Sequence, residues 1–146
     1  MKIEIRIDES CKEPKIIIVT GVMTDEINAM IKKLSDEELK MIAGFRDDTV
    51  ELIDPDTLYR IFAHSGKVLA ETEHGEFTLR LRLYEVEERL DSHMFLRISN
   101  SEIVNLKKVK SFDLSFAGTI CVTLLNGTVT YASRRYVGKI KQTLGM

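Results

Sequence analysis

Apolar and charged residues alternate at the start of the chain. Ile3, Ile5 and Ile7 are separated by Glu4 and Arg6, which predicts one half-buried strand. The stretch Cys11 to Pro14 breaks it, and Ile16-Ile17-Ile18-Val19 is a short β-branched run suited to a buried strand. The period then changes to that of a helix. Thr24 supplies an N-cap, Asp25 and Glu26 place negative charge in the first turn, and Ile27, Met30, Ile31 and Leu34 follow at i, i+3, i+4 and i+7. Residues 1–39 thus read as a β-β-α extension. So short a segment cannot bury two sheet faces and a helix alone, and it is expected to dock on the rest of the chain or on a second copy, as a dimerisation or regulatory segment.

From Lys40 the pattern becomes short strands with closely spaced turn signals, the mark of an all-β sandwich or barrel over residues 40–146. The predicted strands are Lys40 to Phe45, Thr49 to Leu52, Tyr59 to Ala63, Val68 to Thr72, Glu76 to Leu81, Lys110 to Asp113, Thr119 to Leu124 and Thr128 to Tyr131. Asp47-Asp48, Ser65-Gly66, His74-Gly75 and Asn126-Gly127 put residues that tolerate positive φ where hairpins need them. Two helices interrupt the strands. Leu83, Val86 and Leu90 mark a short amphipathic one, and Ser133 caps a final one that bears Val137, Ile140 and Leu144 and ends at Gly145. The fold class is mainly β with short helices.

Charge sharpens this picture. The 146 residues carry 21 Lys and Arg against 23 Asp and Glu, a formal net charge of -2. That total averages two unlike parts. Residues 96–146 hold eight bases and two acids, a net +6, and the remainder holds 13 bases and 21 acids, a net -8. Such asymmetry is a hint that one part contacts nucleic acid or membrane. The longest apolar runs fall far short of the roughly 20 residues that span a bilayer, and Met1-Lys2-Ile3-Glu4 does not open a signal peptide, so a cytoplasmic protein is expected. Cys11 and Cys121 are too few for a disulfide scaffold. With His64, His74 and His93 scattered, no local metal motif exists, and the cysteines are read as buried or indifferent thiols.

Catalytic signatures are missing, and no enzyme activity or cofactor is expected. His64-Ser65-Gly66-Lys67 superficially resembles the end of a phosphate-binding loop, but the upstream glycine is absent and Val68 stands where Ser or Thr is needed, so a hairpin turn is the better reading. The adjacent acids Asp47-Asp48 and Glu87-Glu88 fit solvated turns and helix faces. A binding function has positive signs. Between Met94 and Lys110 a polar tip, Ser99-Asn100-Ser101, lies between apolar anchors, with Arg97, Lys107, Lys108 and Lys110 nearby. Short groups that donate and accept suit base edges and phosphates, and cations supply sequence-independent attraction. A solvated turn and a buried Asn105 tying down backbone explain the same residues equally well.

The run Phe95-Leu96-Arg97-Ile98-Ser99-Asn100-Ser101-Glu102-Ile103-Val104-Asn105-Leu106 resembles the central signature of LytTR-type DNA-binding domains. Asn126-Gly127, a strand, then Ala132-Ser133-Arg134-Arg135-Tyr136 and a terminal helix resemble that family's ending. The resemblance covers about residues 40–146. One departure is Glu102, where an aromatic residue is common.

The resemblance implies an elongated β sandwich that presents loops, rather than a recognition helix, to double-stranded DNA. It implies a bacterial transcriptional regulator bound as a dimer or in tandem to repeated half-sites. Carried over by motif, the base-reading residues are Asn100 and Arg135, with Lys67 as the nearest match for a third and His64 or Ser65 as alternatives to it. Arg97, Ser99, Ser101, Lys107, Arg134 and Lys139 are cast as phosphate contacts or loop supports, Asn105 as loop structure, and Ile103, Val104 and Leu106 as core. Short relatives often work with a membrane-protein regulator, which the resemblance adds as a partner. Residues 1–39 are too few for a phosphoacceptor receiver domain, so control by aspartyl phosphorylation is not expected. The reading from a different class is a protein-interaction module that acts through the acidic N-terminal part; a small-molecule-binding β protein is a third.

Overall fold

The structure is a computed structural model that describes residues 1–36 and 41–146. The chain divides into two compact units, Met1–Glu37 and Glu38–Met146. The predicted boundary between Leu39 and Lys40, and the Lys40 start of the first predicted sandwich strand, lie outside the described residues.

In the first unit the helix forms as its spacing predicts. Helix α1 (Asp25–Asp36) begins with Asp25 and Glu26 in its first turn, and the Thr24 hydroxyl accepts from the Ile27 amide at 3.3 Å. The two predicted strands are a different matter. Residues 1–24 enter no ladder, and Ile3, Ile5 and Ile7 are 85%, 88% and 89% exposed. A strand needs a partner edge for its backbone groups. Here the Cys11 amide closes a tight turn on the Asp8 carbonyl at 3.0 Å, and the chain does not return to pair the two runs.

Among the described residues the second unit has ten strands: β1 (Ile42–Arg46), β2 (Thr49–Ile53), β3 (Leu58–His64), β4 (Lys67–Thr72), β5 (Gly75–Leu79), β6 (Phe95–Ser99), β7 (Glu102–Asn105), β8 (Val109–Asp113), β9 (Ile120–Leu124) and β10 (Val129–Ala132). Helix α2 (Leu83–Arg89) precedes β6, and α3 (Arg134–Thr143) follows β10. Seven strands form an antiparallel sheet in the order β2-β1-β5-β4-β3-β7-β6, and three form a second, β10-β9-β8. Every predicted turn from Asp47-Asp48 to Asn126-Gly127 joins neighbouring antiparallel strands. In the β3–β4 hairpin Ser65 (φ +51°) and Gly66 (φ +76°) are both left-handed, the conformation whose twist suits a two-residue connection.

Two apolar clusters hold this unit. Ile42, Ile53, Leu58, Ile61, Ala70, Phe77 and Ile103 pack with Leu83, Val86 and Leu90 of the α2 region on one side of the large sheet. Leu96, Ile98 and Val104 pack with Ile120, Val122 and Leu124 of the small sheet and Ile140 of α3. Strand β7 serves both, through Ile103 on one face and Val104 on the other, and all four of its residues are buried. A strand covered on both faces loses the apolar–polar alternation of a half-buried one, which is why β7 does not stand out as a strand by periodicity.

Candidate nucleic-acid interface

The antiparallel register decides which loops meet. Strand β3 runs toward the Ser65-Gly66 turn, β6 runs toward Asn100, and β7 starts there, with Phe62 opposite Glu102 and Ser99 opposite Glu102. The Ala63 amide donates to the Ser101 carbonyl at 2.8 Å, extending the β3–β7 ladder to the tip. The β3–β4 and β6–β7 tips therefore lie side by side at one end of the sheet. The register slips between Arg97 and Ser99, and the carbonyl of the intervening Ile98 accepts from the Ser133 amide at 2.9 Å, which fixes the start of α3 to the same end.

Side chains then set the Asn100 loop. Arg97, half-buried, donates from Nε to the Ser99 carbonyl at 2.6 Å, from Nη2 to the Asn100 carbonyl at 2.6 Å, and from Nη1 to Glu87 of α2 at 2.8 Å. One guanidinium thus ties two loop carbonyls to a helix, a use of the planar fork that an ammonium cannot copy. The Ser101 amide donates to the Ser99 hydroxyl at 3.2 Å, and the two hydroxyls share a hydrogen bond at 3.2 Å. From α3, the Tyr136 hydroxyl donates to Asn100 Oδ1 at 2.9 Å. An amide oxygen has two lone pairs, so Asn100 keeps an acceptor site and both N–H donors for a ligand.

Asn100, Arg135 and Lys67 are all exposed, and their segments converge on this end. Lys139 is exposed on α3 at i+4 from Arg135 and so on the same helix face, while the buried Ile140 and half-buried Tyr136 and Val137 hold the helix to the core. Arg134 is exposed too, and its guanidinium lies over Gly118 in the β8–β9 connection, where an added Cβ would come within 2.7 Å of Nε. Arg97, Ser99 and Ser101 act on the loop itself, as three of its supports. Lys107 is placed elsewhere. It follows β7 at the end opposite Asn100, so at about 3.3 Å per strand residue the four-residue strand separates them by more than 10 Å.

Asn105 is loop structure: its Nδ2 donates to the Leu58 carbonyl at 2.8 Å and its Oδ1 accepts from the Lys107 amide at 3.0 Å. Glu102, the departure from the family pattern, is buried and ion-paired. Its Oε1 accepts from Arg60 Nη1 at 3.0 Å, and Arg60 Nε donates to Glu71 at 2.6 Å while its guanidinium stacks 4.0 Å from the Phe62 ring centroid. Burial pushes the Glu71 carboxyl up, but hydrogen bonds from Arg60 and Thr128 and the Arg60 charge outweigh it and leave its pKa below the ordinary value. Lys108, counted among the bases of the C-terminal part, is paired with Glu73. Tyr136, Glu87 and Arg60 are the functional supports that sequence reasoning missed; only Tyr136 carried a signal, its place beside the Ser-Arg-Arg run.

Cys11 is exposed and Cys121 buried. Among the described residues, no cluster of three His, Cys, Asp or Glu is arranged to hold a metal ion, and no helix is long and apolar enough to cross a membrane.

The fold is similar to that of a solved Bacillus cereus chain described as a LytTr DNA-binding domain, with a TM-score of 0.70 and 22% identity, over 73% of this chain and 97% of that one. Two Staphylococcus aureus proteins, from strains NCTC 8325 / PS 47 and COL, each named an uncharacterized HTH-type transcriptional regulator, are 33% identical over 147 residues, 100% of this chain and 99% of theirs. Helices α2 and α3 of this chain are separated by five strands, β6 to β10, so they do not form a helix-turn-helix with each other. The LytTr DNA-binding domain model matches residues 48–145, which cover both signatures and every loop of the candidate interface, and the chain belongs to the LytTr DNA-binding domain family.

Proposed function

We propose that the protein is a sequence-specific, DNA-binding transcriptional regulator that reads major-groove bases with loop residues and binds repeated half-sites as a dimer. The observation that carries this reading is the convergence of the exposed Asn100, Arg135 and Lys67 segments at one end of the large sheet. Arg135 pairs bidentately with guanine O6 and N7, and Asn100 pairs with adenine, each contact supplying about 1 to 3 kcal/mol of discrimination. Lys67 is the third contact, from the neighbouring hairpin. Lys139 and Arg134 meet phosphates and set affinity and salt dependence, and Arg97, Ser99 and Ser101 hold the loop in shape.

The family membership and the regulators among its relatives support DNA as the partner. The test is a gel shift against promoter DNA upstream of the protein's own gene at two salt concentrations, with Arg135→Ala and Asn100→Ala. Specific binding by the parent, lost in both variants while their folding is intact, is the expected result. A parent without DNA affinity overturns the reading.

A further inference from the structure

Residues 2–8 read Lys-Ile-Glu-Ile-Arg-Ile-Asp, with charge alternating in sign on one face and isoleucine on the other. Lys2 and Glu4 meet at 3.3 Å, as side chains on the same face of an extended segment do. The segment enters no ladder, its three isoleucines are 85–89% exposed, and the turn at Asp8–Cys11 ends it.

We propose that this segment pairs with the same segment of a second copy, as a twofold antiparallel ribbon centred on Ile5. The pairing places Ile5 opposite Ile5, Ile3 opposite Ile7, Glu4 opposite Arg6 and Lys2 opposite Asp8. All four charges of each strand face an opposite charge, and six isoleucines share the other face. Opposite charges across a ladder stabilise it and like charges destabilise it. Alternative registers do worse. A centre on Glu4 sets Lys2 against Arg6 and Glu4 against itself, and a centre on Arg6 sets Glu4 against Asp8 and Arg6 against itself. A centre on Ile3 uses only Lys2 and Glu4, and one on Ile7 sets Ile5 against Glu9. Parallel pairing in register matches every charge with its like. The chain's own second run, Ile16 to Val19, has no charges to match Glu4 and Arg6. A self-complementary patch is what a twofold interface requires. An isolated two-stranded ribbon is marginal; the apolar run Ile16 to Val19 and the Ile27 and Met30 side of α1 are the cover that the extension itself offers.

The ribbon specifies the dimer of the proposed function and rests on that reading, but its test does not involve DNA. The full-length chain is measured by sedimentation equilibrium as the parent, as Glu4→Arg, as Arg6→Glu and as the double swap. By twofold symmetry each single variant creates two like-charge pairs, so dimer affinity should fall about ten-fold, and the double swap should restore it. An equimolar mixture of the two single variants should form the mixed dimer. In a Cys11→Ser background, Ile5→Cys should cross-link to itself under oxidation, whereas Ile3→Cys should cross-link to Ile7→Cys and not to itself. A swap that associates no better than the single variants, a self-linking Ile3→Cys, or a monomeric parent overturns the ribbon. Absence of DNA binding would instead overturn the proposed function and leave the ribbon standing.

Discussion

The hydroxyl of Tyr136 donates to Asn100 Oδ1 at 2.9 Å across the junction of α3 and the β6–β7 tip. This bond orients the amide nominated to read a base and ties it to the residue that follows Arg135. Replacing Tyr136 with Phe removes the bond and keeps the ring that packs against the core cluster. Specific DNA affinity should fall by about five-fold, the equivalent of one ordinary hydrogen bond, with thermal stability little changed. In a double-mutant cycle the effect of Tyr136→Phe should vanish in an Asn100→Ala background, because the two residues act through one contact. Fluorescence anisotropy on a labelled half-site measures both.

Arg97 separates a loop support from a phosphate contact. All three of its hydrogen bonds go to protein, to the Ser99 and Asn100 carbonyls and to Glu87. Arg97→Lys keeps the charge and loses the fork, so affinity should drop while the slope of log affinity against log salt stays the same. Loss of a phosphate contact would lower that slope by about one.

Lys139 and Lys107 provide the converse comparison. Lys139 shares a helix face with Arg135, and Lys107 lies at the far end of β7. Lys139→Ala should reduce the salt slope by about one and weaken binding to all sequences alike. Lys107→Ala should change neither, although in sequence it is nearer to Asn100 than Lys139 is.

That contrast shows where sequence reading stops. Hairpins announced by Ser65-Gly66 and Asn126-Gly127, and helices announced by the spacing of Leu83, Val86 and Leu90 or of Val137 and Ile140, are local events, and local chemistry determines them. Strand β7 is legible only as a family signature, because burial on both faces erases the two-residue period. Arg97, Ser99, Ser101 and Lys107 all read as basic or polar groups near one tip. Only the ladder register assigns the first three to the tip and Lys107 to the opposite end. The strands expected within residues 1–24 were a fair reading of pattern, but a ladder also needs an edge to pair with, which composition cannot supply.

The Arg60 network makes a prediction about stability. Glu102 is buried and Arg60 supplies its ion pair. Arg60→Ala leaves that carboxylate without its countercharge and should cost about 3 kcal/mol, the scale for breaking a buried pair. Replacing both partners with apolar residues, as Arg60→Met with Glu102→Phe, should recover the share of the loss that comes from Glu102, since the apolar pair needs no compensation, while Glu71 lacks Arg60 in both variants. Urea denaturation monitored by circular dichroism distinguishes the two variants. A double variant no more stable than Arg60→Ala would show that the contacts of Arg60 with Glu71 and Phe62, and not its pair with Glu102, dominate the site.

The same network predicts how stability responds to acid. Glu71 is held below its ordinary pKa because its carboxylate accepts from Arg60, from Thr128 and from Asn126 at 2.6, 2.9 and 2.9 Å, against the upward push of burial. A carboxyl whose folded pKa lies below its unfolded value contributes stability that is complete above the unfolded value and is lost as pH falls through the folded one. Between pH 7 and the ordinary carboxylate range near 4.5, Glu71 should therefore contribute a constant amount. Below that range the contribution should decline, and because Asn126 and Thr128 border the β9–β10 turn, the small sheet should lose its tie to β4 as Glu71 is protonated. Glu71→Gln should be less stable than the parent near neutral pH and converge with it in acid. Urea midpoints for the two proteins across this range measure the difference, and parallel pH profiles would exclude Glu71 as the titrating group.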